Sequence, residues 1–135
     1  MKAKVKVEQW ERPVCTTAAR QLTRMECGLA FAQFQLRSDR IKDAKVKFIA
    51  KSDIVAGLQT AASMAGKRLV EGEFDERARA LLRKAFSGTT RVLNEVKKGP
   101  NKISIRAAGD LYRKVAGVSN DVGEAWRKIR SHCER

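Results

Sequence analysis

From Asp75 to Lys98 the residues Ala78, Leu81, Leu82, Ala85, Thr89, Val92, Leu93 and Val96 recur every three or four positions. That period lays them along one side of a helix, whereas a strand would scatter them over both faces. The ends agree. Asp75 can cap the first turn, and Asp75 and Glu76 against Lys97 and Lys98 match the helix dipole. Gly99-Pro100 then stops the helix. Phe86 lies at the edge of the stripe, and Gly88 leaves open a kink or a split into two helices. A helix of this length with one apolar side needs other helices to cover it.

Two further stretches supply them. After a cap at Thr16 or Thr17, Leu22, Met25, Leu29, Ala32 and Leu36 repeat at helical spacing from Ala18 to about Leu36, with Phe31 and Phe34 widening the stripe. Arg20, Arg24 and Arg37 fall largely on the other side, and Gly28 marks a place where a second helix could cross closely. Ser52-Asp53 opens another helix, reaching about Val70, whose inner face is Ile54, Val55, Leu58, Ala61, Ala62, Ala65 and Leu69. The expected fold is mainly α: a single domain over residues 1–135, built as a compact bundle of four to five helices. The chain is 43% hydrophobic. No apolar run approaches the ~20 residues of a transmembrane helix.

Two segments alternate instead. Residues 2–7, Lys-Ala-Lys-Val-Lys-Val, put Lys2, Lys4 and Lys6 on one face, and Ala44-Lys45-Val46-Lys47-Phe48 echoes the pattern. If 2–7 and 44–49 pair as a two-stranded ribbon, these three lysines join Lys45 and Lys47 in a basic strip. Two competing readings stay open: 2–7 as a basic arm that orders on nucleic acid, and 40–50 as helix with Ile41, Ala44 and Phe48 inward.

At 101–133, two apolar sets stand either side of Ala116-Gly117-Val118-Ser119. The first is Ile105, Ala108, Leu111, Tyr112 and Val115; the second is Val122, Ala125, Trp126, Ile129 and Cys133. Gly117 can end one helix in the left-handed conformation and Ser119 can cap the next. The layout resembles a helix-turn-helix, in which the second helix enters a DNA groove. Asn120 would then lie at the reading end, with Arg127, Lys128 and Arg130 on phosphates or a guanine edge. Arg113 departs from that layout, since the position four before the turn glycine is usually small. Asp121 and Glu124 oppose phosphate. An αα-hairpin completing the core is the competing reading.

Charge decides what such a bundle would meet. There are 29 basic against 15 acidic residues, a net charge of +14. The surplus sits in 1–51, with 12 basic and 5 acidic residues, and in 75–135, with 15 and 7. The stretch between has none. A surface so positive attracts polyanions, nucleic acid first among them. The expected function is a non-enzymatic nucleic-acid-binding protein, with duplex DNA favoured over RNA, acting as a regulator or accessory factor. Its contacts would be Asn120, Arg127, Lys128 and Arg130, with Lys2, Lys4, Lys6, Lys45, Lys47, Arg83 and Lys84 adding sequence-independent ones. The alternative is a helical assembly protein that self-associates through Gly28 and the helices at 54–65 and 75–98, and docks an acidic protein or an RNA-containing particle.

Catalytic signatures are missing. There is no phosphate-cradling glycine loop, no HExxH and no GxSxG. His132 is the single histidine. No enzyme activity, cofactor or metal is expected. Cys15, Cys27 and Cys133 are odd in number and lack CxxC spacing, so they suggest no disulfide framework and a reducing compartment. The lysines of the N-terminus precede no apolar block, so the expected location is the cytoplasm, without membrane association.

Overall fold

The computed structural model describes residues 13–37, 48–63 and 74–134. These contain helices α1 (Pro13–Leu36), α2 (Lys51–Ser63), α3 (Glu76–Lys98) and α4 (Ile105–Cys133), and short strands β1 (Phe48–Ala50) and β2 (Lys102–Ser104). Each helix packs on two others: α1 on α2 and α4, and α3 on α2 and α4. The four close round one core of buried side chains, among them Leu22, Met25, Leu29, Ile54, Leu58, Leu82, Val115, Val122 and Ile129. The mainly α bundle with a small β-ribbon is therefore what the sequence forms.

The stretch read as two helices joined at Ala116–Ser119 is one helix of 29 residues. The apolar period explains why. Leu111, Val115, Val118, Val122, Ala125 and Ile129 are all buried, and Val118 carries the stripe straight through the expected turn. A mid-helix glycine costs about 1 kcal/mol. Burying a valine returns ~1.5–3 kcal/mol, so continuing the helix wins. The capping serine is Ser104, whose Oγ accepts from the Ala107 amide at 3.1 Å. Gly88 does not split α3 either; it faces Val118, and a Cβ there would stand 3.0 Å from a Val118 methyl. Asp75 caps α3 as its sequence implies, accepting from the Ala78 amide at 2.8 Å.

The described ribbon has a second strand that the sequence did not suggest. β1 pairs antiparallel with β2, Ile49 opposite Ile103, both buried. Residues 2–7 and 44–47 lie outside the described residues. Lys102 Nζ sits 4.7 Å from the centre of the Phe48 ring, a cation–π contact. The ribbon also finishes α3. Lys51 donates through its backbone to Asn101 and through Nζ to the Lys97 and Gly99 carbonyls, satisfying acceptors that a helix C-terminus leaves open.

Pro13 opens α1, a position where its missing amide costs nothing. Two other expectations change. Phe31 and Phe34 do not widen the buried stripe; both are about half exposed, as is Ile105. Gly28 crosses Gly57 inside the bundle instead of at a subunit contact. A Cβ on Gly28 would stand 2.5 Å from the Gly57 carbonyl, and one on Gly57 would stand 2.6 Å from the Gly28 carbonyl.

The cysteines do form a bridge. Cys15, in the first turn of α1, is disulfide-bonded to Cys133, in the last turn of α4, with 6.0 Å between Cα atoms and a sequence separation of 118. Both are fully buried. Phe74 closes the same end of the bundle, its ring edge-on to His132 at 5.2 Å. The bridge pulls against the reducing compartment expected from the cysteine count.

Two pairs of substitutions test this packing in urea unfolding. Gly117→Ala should stabilise by up to ~1 kcal/mol, because the site is exposed mid-helix with open space around it; a true turn there would make the same change destabilising. Gly28→Ala should instead cost about 1–3 kcal/mol, because the obstructing atoms are backbone. Replacing both Cys15 and Cys133 by serine should lower stability by roughly 2–5 kcal/mol.

Candidate nucleic-acid interface

The basic surplus of the described residues gathers on one pair of helices. α3 carries seven lysines and arginines against two carboxylates, and α4 six against three. α1 and α2 together carry three against two. α3 and α4 run antiparallel, because their cross-links join Lys84 to Asp121 and Lys114 to Glu95. As α3 ascends, its partners on α4 descend.

Within that pair the cations are ordered by sequence spacing. Arg77, Lys84, Arg91 and Lys98 are seven apart along α3, and all are exposed. Seven residues are nearly two helical turns, so the four form one row that drifts only slowly round the helix. Lys84 belongs to the wall facing α4, which places the row beside the α3–α4 seam. Arg106, Arg113, Asn120 and Arg127 form a second exposed row, also seven apart, on α4. At 1.5 Å per residue each row is roughly 31 Å long.

The seam between the rows is a groove of about 620 Å³ lined by Lys84, Gly88, Arg91, Glu95, Lys114, Gly117, Val118 and Asp121, among others. Gly88 and Gly117 leave its floor shallow. Its two carboxylates are engaged: Asp121 lies 3.4 Å from Lys84 Nζ, and Glu95 pairs with Lys114. Such solvent-facing pairs contribute about 0–1 kcal/mol each. Their larger effect is to mask the acids that would otherwise repel a phosphate chain.

The expected contact residues separate under this geometry. Arg127 is exposed, with no ion-pair partner among the described residues, and Asn120 shares its row. Asn120 stands mid-helix, however, and so is not at a helix start where first-turn amides would accompany it. Lys128 is half-buried. Arg130 lies 3.7 Å from Glu134 across one turn. Arg83 and Arg79 share Glu76 at 3.1 and 2.8 Å, and Lys84 is held by Asp121. Lys2, Lys4, Lys6, Lys45 and Lys47 lie outside the described residues. Arg77, Arg91, Lys98, Arg106 and Arg113 were missed as a set, although their seven-residue spacing is plain in the sequence.

Among the described residues no three histidine, cysteine or acidic side chains gather as a metal site. Away from the basic face, burial raises the Glu26 carboxyl above its ordinary range. Among the described residues no helix is long and apolar enough to cross a membrane. No family model, curated protein or solved structure matches the chain.

Because Arg91 and Arg127 project from exposed faces without a partner among the described residues, alanine at either should change unfolding free energy by no more than about 0.5 kcal/mol. Chemical denaturation of the two variants checks this, and separates a surface role from a structural one.

Proposed function

We propose that the protein is a non-enzymatic nucleic-acid-binding factor, a regulator or accessory protein that holds duplex DNA against the α3–α4 face. The observation that carries this reading is the concentration of positive charge on those two helices, in two rows at seven-residue spacing. Each row is about as long as one turn of duplex, ~34 Å. Cations along such a row meet phosphates at several points and release counterions, which supplies affinity without sequence preference. A recognition helix leaving a turn is no longer part of the proposal. Arg77, Arg91 and Lys98 grip one phosphate backbone, with Lys84 in their row neutralising Asp121, while Arg106, Arg113 and Arg127, with Asn120 among them, lie along the other wall.

Duplex is favoured over single strands by what the face lacks. Binding of unpaired bases uses exposed aromatic platforms. Trp126 and Tyr112 are half-buried against the core, and Phe48, though about half exposed, lies on β1 away from the α3–α4 rows with Lys102 Nζ over its ring. The cytoplasm is the compartment proposed from sequence, and the buried Cys15–Cys133 bridge is the feature that argues for more oxidising surroundings.

Titration of fluorescent duplex DNA, single-stranded DNA and structured RNA at several salt concentrations tests the proposal. Duplex affinity should fall by orders of magnitude between ~50 and ~200 mM salt. Arg91→Ala and Arg127→Ala should each reduce the slope of log K against log salt by about 1. Their far-UV spectra should not change. Failure of all three polymers to bind at low salt would defeat the proposal; binding of an acidic protein alone would move it to the assembly reading.

A further inference from the structure

Where α3 finishes, a second groove of about 730 Å³ opens between the β-ribbon, the start of α2 and the last turn of α3. Phe48, Lys51, Ser52, Lys97, Asn101 and Lys102 are among its lining residues. Its charge is unlike that of the α3–α4 seam. In the seam, Lys84 and Lys114 each meet a carboxylate. Here three lysines stand together, and no carboxylate is among the described lining residues. Lys51 directs its ammonium to the Lys97 and Gly99 carbonyls, which leaves its charge uncancelled. Lys97 and Lys102 are exposed and pair with no acid among the described residues, Asp53 beside Ser52 included. Like charges gathered in a hollow raise the local potential and draw in an anion.

The groove adjoins the end of a row already described. Lys98 is the last cation of the α3 row, and Lys97 precedes it by one residue, about 100° round the same turn. A strand that follows the row to Lys98 and leaves the duplex there comes next to Lys97. Beyond it is Phe48, 45% exposed, with the Lys102 ammonium 4.7 Å from the centre of its ring. A base stacks on an aromatic ring more strongly than an exposed ammonium holds to one. The base therefore takes the ring, and Lys102 passes to a phosphate. Resting on the reading of the α3–α4 face as a duplex-binding surface, we propose that this groove holds the first unpaired nucleotides of a strand running out of the bound duplex. Lys97 and Lys102 meet their phosphates and Phe48 stacks a base. The preferred ligand is then a duplex with a single-stranded tail. A single strand alone has no second backbone for the rows.

Fluorescence anisotropy with the full chain compares a blunt duplex with the same duplex carrying a tail of about four thymidines, on the 5′ or the 3′ end. At one fixed salt concentration, the tailed duplex of the fitting polarity should bind roughly tenfold more tightly than the blunt one. Phe48→Ala and Lys97→Ala should each cut that advantage to about threefold or less. Arg91→Ala, in the row and outside the groove, should weaken both DNAs and leave their ratio unchanged. Equal binding of the blunt and both tailed duplexes overturns the proposal and leaves the duplex reading standing. Failure of the blunt duplex to bind at low salt defeats that reading, and this proposal with it. An advantage that survives in both Phe48→Ala and Lys97→Ala also overturns the proposal. If Phe48→Ala fails to fold, Lys97→Ala, on the exposed side of the last turn of α3, decides alone.

Discussion

The structure hangs on one uninterrupted apolar stripe along α4. Its buried residues recur from Ala108 to Cys133 without a break, and the helix packs on both α1 and α3. Because the stripe is continuous, the helix must be continuous too, and this has two results. α4 presents an outward side long enough for a row of cations, and it reaches back to the first turn of α1. Had the chain turned at Gly117, Asn120 and Arg127 would have belonged to a separate short helix, and the seam with α3 would have lost Val118, against which Gly88 packs.

Small residues serve two unlike purposes in this bundle. At Gly28 and Gly57 the absence of a side chain lets the backbones of α1 and α2 approach, and nothing larger fits. At Gly109, Gly117 and Gly123 there is open space where a side chain would be. The second group makes the outer side of α4 low and smooth between its arginines. A glycine thus tells nothing by itself; its meaning depends on whether another backbone stands across from it.

Much of this was legible in the residues. The period of α3, its Asp75 cap and its Gly99-Pro100 stop are local signals, and local signals survive folding. So was the inward set of α1, from Leu22 to Leu36. What failed were judgements that needed a partner's position. Gly117 and Ser119 have turn chemistry, but tertiary burial of Val115, Val118 and Val122 overrode it. Phe31 and Phe34 are apolar, yet the phase of the helix turns them away from the core. The bridge between Cys15 and Cys133 could not be read from spacing, because the two are neighbours only once α4 lies along α1. The basic face fell between these cases. Arg83, Lys84 and Arg127 were found from charge alone, whereas the rows that order them needed the seven-residue period to be followed along each helix.

The link between Cys15 and Cys133 has a mechanical meaning beyond stability. It joins the outer turns of two helices that between them flank almost every described element. Tension applied through the residues just before Cys15 and just after Cys133 would pass through the sulfur atoms, across 6.0 Å of Cα separation, and leave the enclosed loop slack. While the bridge is closed, the bundle is a bead hanging beside a taut line; with the thiols apart, the same pull would peel α1 from α4.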